Sequence, residues 1–181
     1  MVTVPLAVRA ALPNVPPRAI EPTFVPAVTA AVTPDDPSSN FLLPYWVVEA
    51  MRVRAQASAV TLVVDCSAAT ICGDVDLLRR ILENLVDNAI RHTPEDSTVT
   101  LGAVKIPGAV EIRISDAGTG IPAELRDQVF DRFVQGTRPT AARGHGLGLA
   151  FCKLAVEAHG GRIDIQDGNP GAVFRLVVPD A

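Results

Sequence analysis

No stretch of apolar residues in this 181-residue chain reaches the roughly 18 to 20 needed to cross a bilayer, because prolines or charges interrupt each one. The amino terminus has no basic residue ahead of its short apolar stretch, Met1 to Val8, which is the wrong order of features for a secretory signal. Cysteine is scarce as well. Cys66, Cys72 and Cys152 are odd in number and lack CxxC spacing, which argues against both a disulfide framework and a zinc site. They read as small buried hydrophobes, and a reducing cytoplasm is the expected compartment. An excess of either charge is also missing: 16 Lys and Arg against 20 Asp and Glu leave a formal net charge of -4. That excludes a polybasic nucleic-acid binder and a disordered acidic tail. There is no internal repeat, and 48% hydrophobic residues are enough to bury a core.

Proline is what the chain does have, and unevenly: nine of its fifteen fall in residues 1–44. A proline every few positions removes the backbone donors that a helix or central strand needs. Residues 1–40 are therefore expected to form an extended or disordered leader, and residues 41–181 the folded domain. Within the domain, Trp46, Ala50 and Val53 recur at helical spacing and predict a helix over 45–57. Short β-branched runs predict strands at 60–64 and 69–72. Asp74 is a good N-cap with Asp76 in the first turn, so a helix should run to the Thr93-Pro94 stop. Strands are expected at 98–105 and 109–115, joined by a Pro107-Gly108 turn. A short helix follows over 122–130, then a long loop over 134–146 and a helix over 147–159 that ends at Gly160-Gly161. Strands at 162–166 and 173–178 close the chain. Consecutive strands forming hairpins, with helices left to cover one face, predict an α/β fold of the two-layer sandwich type, with a mixed, mostly antiparallel sheet.

Three local patterns carry possible chemistry. On the 74–92 helix, Leu78, Ile81, Leu82, Leu85, Val86 and Ala89 form an apolar face, while Asn84, Asn88 and Arg91 share a polar stripe at i, i+4 and i+7. That stripe is either an ordinary solvated face or a surface on which an amide oxygen ligates Mg²⁺ and an arginine meets phosphate. Asp116-Ala-Gly-Thr-Gly120 ends a strand. It is either a tight turn or a place where a carboxylate accepts from an exocyclic amine and glycines let a ring lie against the backbone. Gly144-His-Gly-Leu-Gly-Leu149 opens a helix, where backbone N–H groups and the helix dipole suit an anion. No Gly-Lys-Ser/Thr follows it, so it is not a Walker A loop, and the hairpin pattern around it is not that of a Rossmann unit.

In order and spacing these patterns resemble the ATP-binding catalytic domain of bacterial two-component sensor histidine kinases, within the superfamily that includes gyrase, MutL and heat-shock chaperone ATPases. Asn84-Leu-Val-Asp-Asn-Ala-Ile-Arg-His-Thr-Pro94 is similar to the family's N box, Asp116–Gly120 to its first glycine box, and Phe130-Asp-Arg-Phe133 to its F box. Gly144–Leu149 is similar to the second glycine box. The resemblance implies a Bergerat-type ATP-binding fold with ATP and Mg²⁺ as cofactors. By motif position, Asn88 would bind the metal, with Asn84 assisting, and Arg91 and His92 would contact phosphate. Asp116 would take the adenine amino group. Gly118, Gly120, Gly144, Gly146 and Gly148 would shape the pocket, with His145, Leu147 and Leu149 in the same nucleotide-binding run. Phe133 would anchor a lid by packing, and His159 would be structural.

Two departures from the family pattern stand out. The usual Gly-Thr-x-Phe is Gly171-Ala-Val-Phe174 here, without the hydroxyl. The three histidines, His92, His145 and His159, all lie inside the ATP domain. The resemblance therefore implies a phosphoacceptor on a histidine-bearing dimerisation domain of another chain, and indirectly a response regulator, with no nucleic acid and no membrane insertion. A nucleotide-binding module that transfers nothing, or a serine kinase of the same superfamily, are the alternatives.

Overall fold

The computed structural model describes residues 2–6, 43–66, 69–134 and 146–180. Its elements are β1 (Val2–Leu6), α1 (Leu43–Ala57), β2 (Thr61–Cys66), β3 (Ala69–Gly73), α2 (Val75–His92), β4 (Thr98–Ile106), β5 (Ala109–Ser115), α3 (Gly148–Ala158), β6 (Arg162–Asp167) and β7 (Ala172–Pro179). Five strands form one sheet in the order β2-β4-β5-β7-β6. Only the β2–β4 pair is parallel; the other three pairs are antiparallel. The α/β sandwich with a mixed, mostly antiparallel sheet is thus the one expected.

The core lies between this sheet and the helices. Alternation along β4 and β5 points Val99, Leu101, Val110, Ile112 and Ile114 to one side, where they are buried together with Phe174 and Leu176 of β7. The apolar face of α2 closes over them with Leu78, Ile81, Leu82, Leu85, Val86, Ala89 and Ile90. α2 is held at both ends by local chemistry. Asp74 accepts from the Leu77 N–H at 3.0 Å, and the Thr93 N–H returns to the Ala89 carbonyl at 3.0 Å. Asp76 in the first turn and Arg91 and His92 in the last complement the helix dipole.

Two differences from the sequence reading have physical causes. α1 starts two residues early, because Pro44 is tolerated in a first helical turn. Its core-facing residues are Leu43, Val47 and Ala55, whereas Trp46 and Val53, which revealed the helix, are exposed. The predicted 122–130 helix is instead two three-residue 3₁₀ turns, Ala123–Leu125 and Gln128–Phe130, since only Phe130 of these six residues is buried and no apolar face exists to hold a longer helix. Within the 1–40 stretch, Val2–Leu6 is extended and pairs antiparallel with β3, with Val2 opposite Gly73 and Leu6 opposite Ala69, and residues 7–40 lie outside the described residues. Among the described residues no helix is long and apolar enough to cross a membrane.

Candidate functional site

The end of β5 delivers Asp116 to a buried position, 7% exposed, where it is committed through one oxygen only. Oδ1 accepts from the Gly118 N–H at 2.8 Å and from the Ala172 N–H at 3.2 Å. The Asp116 N–H in turn donates to the Ala172 carbonyl at 3.0 Å. Oδ2 has no partner among the described residues. The carboxylate is therefore oriented by two backbone donors and retains an acceptor for an incoming N–H.

The glycines around it are required by close approach. A Cβ on Gly118 would lie 2.6 Å from the His92 carbonyl oxygen and 2.9 Å from Asp116 Oδ1. Gly171, with φ +93°, is more constrained still: a Cβ there would fall 1.9 Å from the Asp116 carbonyl oxygen and 2.7 Å from Oδ1. In the sequence Gly171 belongs to a turn and to the run that departs from the family pattern, and nothing local ties it to Asp116. Its neighbour Ala172 lacks the usual hydroxyl, yet its peptide N–H and C=O both serve Asp116, whatever side chain is attached. Thr93 is a second residue whose role here sequence reasoning missed. Buried at the C-cap of α2, it accepts the Ala117 N–H on Oγ1 at 3.4 Å and so joins α2 to the Asp116 loop.

Along α2, Asn84 and Asn88 are half-buried and Arg91 and His92 are exposed. Asn84 Nδ2 donates to the Arg80 carbonyl at 2.7 Å, which leaves Oδ1 as the free end of the amide. That oxygen would be 2.9 Å from a Cβ on Gly148, so the absent side chain lets the start of α3 close on the polar stripe. Leu147, the N-cap residue of α3, makes no side-chain cap bond, so the first N–H groups of the helix are unclaimed by a capping group. Leu147 is 44% exposed, while Leu149 packs partly into the core. Gly144 and His145 lie outside the described residues.

Asn84 and Asn88 offer neutral oxygens, and no cluster of three or more His, Cys, Asp or Glu suited to a metal exists among the described residues. That donor set fits a cation such as Mg²⁺, which keeps waters and takes other ligands from phosphate, and does not fit a cation needing an all-protein cage.

The lid that Phe133 was expected to anchor lies largely outside the described residues, and the Phe133 side chain itself is 72% exposed. Its backbone is what engages: φ is +67°, its N–H donates to the Gly146 carbonyl at 3.0 Å, and a Cβ on Gly146 would sit 2.8 Å from Phe133 Cα. His159 is structural, as expected. Its Nε2 accepts the Asp74 N–H at 3.1 Å and Nδ1 lies 2.6 Å from the Ala155 carbonyl, which assigns the ring proton to Nδ1. The ring occupies the space that a Cβ on Gly73 would need, at 2.6 Å. α3 is thereby fastened to the start of α2.

Comparison with known proteins bears on this geometry. The family model described as histidine kinase-, DNA gyrase B- and HSP90-like ATPase matches residues 73–181. The adaptive-response sensory kinase SasA of Synechococcus elongatus is 35% identical over 137 residues, covering 74% of this chain and 35% of its own length. The chain thus spans about a third of that relative. The solved mycobacterial sensor histidine kinase MprB superposes with a TM-score of 0.67 at 32% identity, over 76% of this chain and 92% of that one. Full-length ShkA, solved with AMPPNP, superposes with a TM-score of 0.67 at 33% identity, over 77% of this chain and 29% of that one.

Proposed function

The chain belongs to the histidine kinase-, DNA gyrase B- and HSP90-like ATPase family, and from that premise we propose that it is a histidine-kinase catalytic domain that binds Mg·ATP and passes the γ-phosphate to a histidine on a separate dimerisation domain. The observation that carries this reading is Asp116: a buried carboxylate fixed through Oδ1, with Oδ2 unclaimed, above a floor that Gly118 and Gly171 keep clear of side chains. Such a group accepts from the adenine amino group, and Gly118, Gly120 and Gly171 admit the ring. Asn88, assisted by Asn84 Oδ1, would hold Mg²⁺, which supplies charge neutralisation across the phosphate oxygens when bound. Arg91 and His92, on the last turn of α2, would meet the phosphates. Gly146 and Gly148, with Gly144 and His145 by motif position, would bring backbone N–H groups of the α3 start to the same anion.

Phosphoryl transfer asks mostly for positioning and charge neutralisation, and this donor set suits that demand. The bond from γ-phosphorus to the β,γ-bridging oxygen breaks and ADP leaves; a bond from that phosphorus to an imidazole nitrogen of the acceptor forms. The acceptor domain, the response regulator downstream of it and a cytoplasmic site of action belong to this proposal.

Calorimetric titration with Mg·ATP should show binding to the wild type and none measurable to Asp116→Ala. Radiolabelled ATP with a histidine-bearing helical partner should label the partner. Undiminished affinity in Asp116→Ala overturns the site. ATP binding with no label on any cognate partner overturns transfer and leaves a nucleotide-binding module.

A further inference from the structure

Beside the polar stripe, α1 and α2 enclose an open depression of about 240 Å³ lined by Met51, Arg54, Arg80, Glu83, Asn84 and Asp87. Asn84 belongs both to this depression and to the stripe. Its charges are organised around one carboxylate. The Asp87 side chain is 16% exposed; Oδ2 is bonded to Arg91, one turn further along α2. Oδ1 is sealed from solvent and makes no aligned hydrogen bond, but Arg54 Nη1 lies 2.5 Å away. Arg54 comes from the last turn of α1, a helix that contains none of the sequence motifs. The other cations nearby are engaged elsewhere: Arg80 stacks on the Phe151 ring of α3 at 4.8 Å, and Arg79 faces Glu83 at 3.7 Å.

We propose that Asp87 and Arg54 are positioning residues for the triphosphate: Asp87 holds Arg91 on the stripe, and Arg54 neutralises Asp87 so that its carboxylate does not repel the phosphates. The inference rests on the nucleotide reading above. By charge alone, Asp87 and Arg91 cancel, and a stripe carrying only those two offers a polyanion nothing. Arg54 restores one net positive charge from the neighbouring helix. It also keeps a counter-ion on the sealed Oδ1 when Arg91 turns away toward phosphate, a moment at which an unpaired buried carboxylate would otherwise be costly.

The test uses the whole chain as wild type, Arg54→Ala, Arg54→Lys and the double variant Arg54→Ala/Asp87→Asn. Mg·ATP is titrated calorimetrically, adenosine by NMR, and folding is checked by urea unfolding. Arg54→Ala should weaken Mg·ATP about two- to fivefold, the range of one partly exposed charge interaction, and leave adenosine affinity unchanged. Arg54→Lys should keep most of the affinity. The double variant should recover part of the loss, because removing the carboxylate restores the net charge while Arg91 gives up the charged acceptor that holds it. A purely structural role for Arg54 would instead lower ATP and adenosine affinity together, with no recovery in the double variant. That result, or wild-type Mg·ATP affinity in Arg54→Ala, overturns the inference. A wild-type protein that binds neither ligand refutes the nucleotide reading and this inference with it, whereas wild-type binding with an unaffected Arg54→Ala removes the inference alone.

Discussion

Gly171→Ala, compared with Gly108→Ala, separates a backbone penalty from a steric one. Both glycines have left-handed φ, +71° at Gly108 and +93° at Gly171, but a Cβ on Gly108 meets nothing within 4 Å. Gly108→Ala should therefore cost only the conformational penalty of an L-residue in that region, about 1–2 kcal/mol. Gly171→Ala carries a similar penalty and also drives a methyl to 1.9 Å from the Asp116 carbonyl oxygen and 2.7 Å from Oδ1. Both contacts are to a residue held by β5–β7 hydrogen bonds, so the sheet end must shift, at a further cost of about 1–3 kcal/mol. The gain from a stiffer unfolded chain is common to both variants and cancels in the comparison. Equilibrium urea unfolding should place Gly171→Ala about 1–3 kcal/mol below Gly108→Ala. Calorimetry should show Mg·ATP affinity lost in Gly171→Ala and intact in Gly108→Ala. Equal destabilisation of the two variants, or normal nucleotide affinity in Gly171→Ala, would refute the claim that Gly171 exists to clear the space around Asp116.

Further predictions concern the thiols and His159. Burial pushes the Cys152 thiol up to about 12, and burial together with the charge of Asp65 pushes Cys66 up to about 11. Both should resist alkylation at pH 8 in the native protein; rapid native-state labelling of Cys152 would contradict the packing. Because these folded-state values lie above the unfolded value of about 8.5, the stabilisation they contribute is complete below that pH. It should be lost as pH rises from about 9 through 11 for Cys66 and 12 for Cys152, visible as a falling urea midpoint that Cys152→Ala makes shallower. His159→Ala removes the acceptor of the solvent-exposed Asp74 N–H and should cost about 0.5–1.5 kcal/mol in unfolding experiments while sparing Mg·ATP affinity. Loss of affinity at unchanged stability would mean that His159 acts in the nucleotide site.

Much of this fold was legible because its signals are local. The cap at Asp74, the apolar face of α2 and the Pro107-Gly108 turn each follow from a few neighbouring residues, and each is found where expected. α1 shows the limit of such signals. Its helical periodicity was visible, but a period has two faces, and only packing against β2 and α2 selects Leu43, Val47 and Ala55 rather than Trp46 and Val53 for the core. The 3₁₀ turns at 123–130 show another limit, because a permissive sequence with no apolar face has no tertiary reason to complete a helix.

The candidate site divides along the same line. From the sequence alone came the α/β class and the polar stripe at Asn84, Asn88 and Arg91, since spacing along one helix or strand depends only on the chain's own geometry. The Asp116 and Gly148 loops, and their order along the chain, came from it too. What the tertiary structure decided are the contacts across elements. The β5–β7 register, with Ser115 opposite Val173, places Gly171 against Asp116 over a separation of 55 residues. The crossing of α1 over α2 brings Arg54 to Asp87, and the end of α3 brings His159 to Gly73. Those pairings depend on register and helix packing, which the burial of the whole core determines and no local pattern encodes.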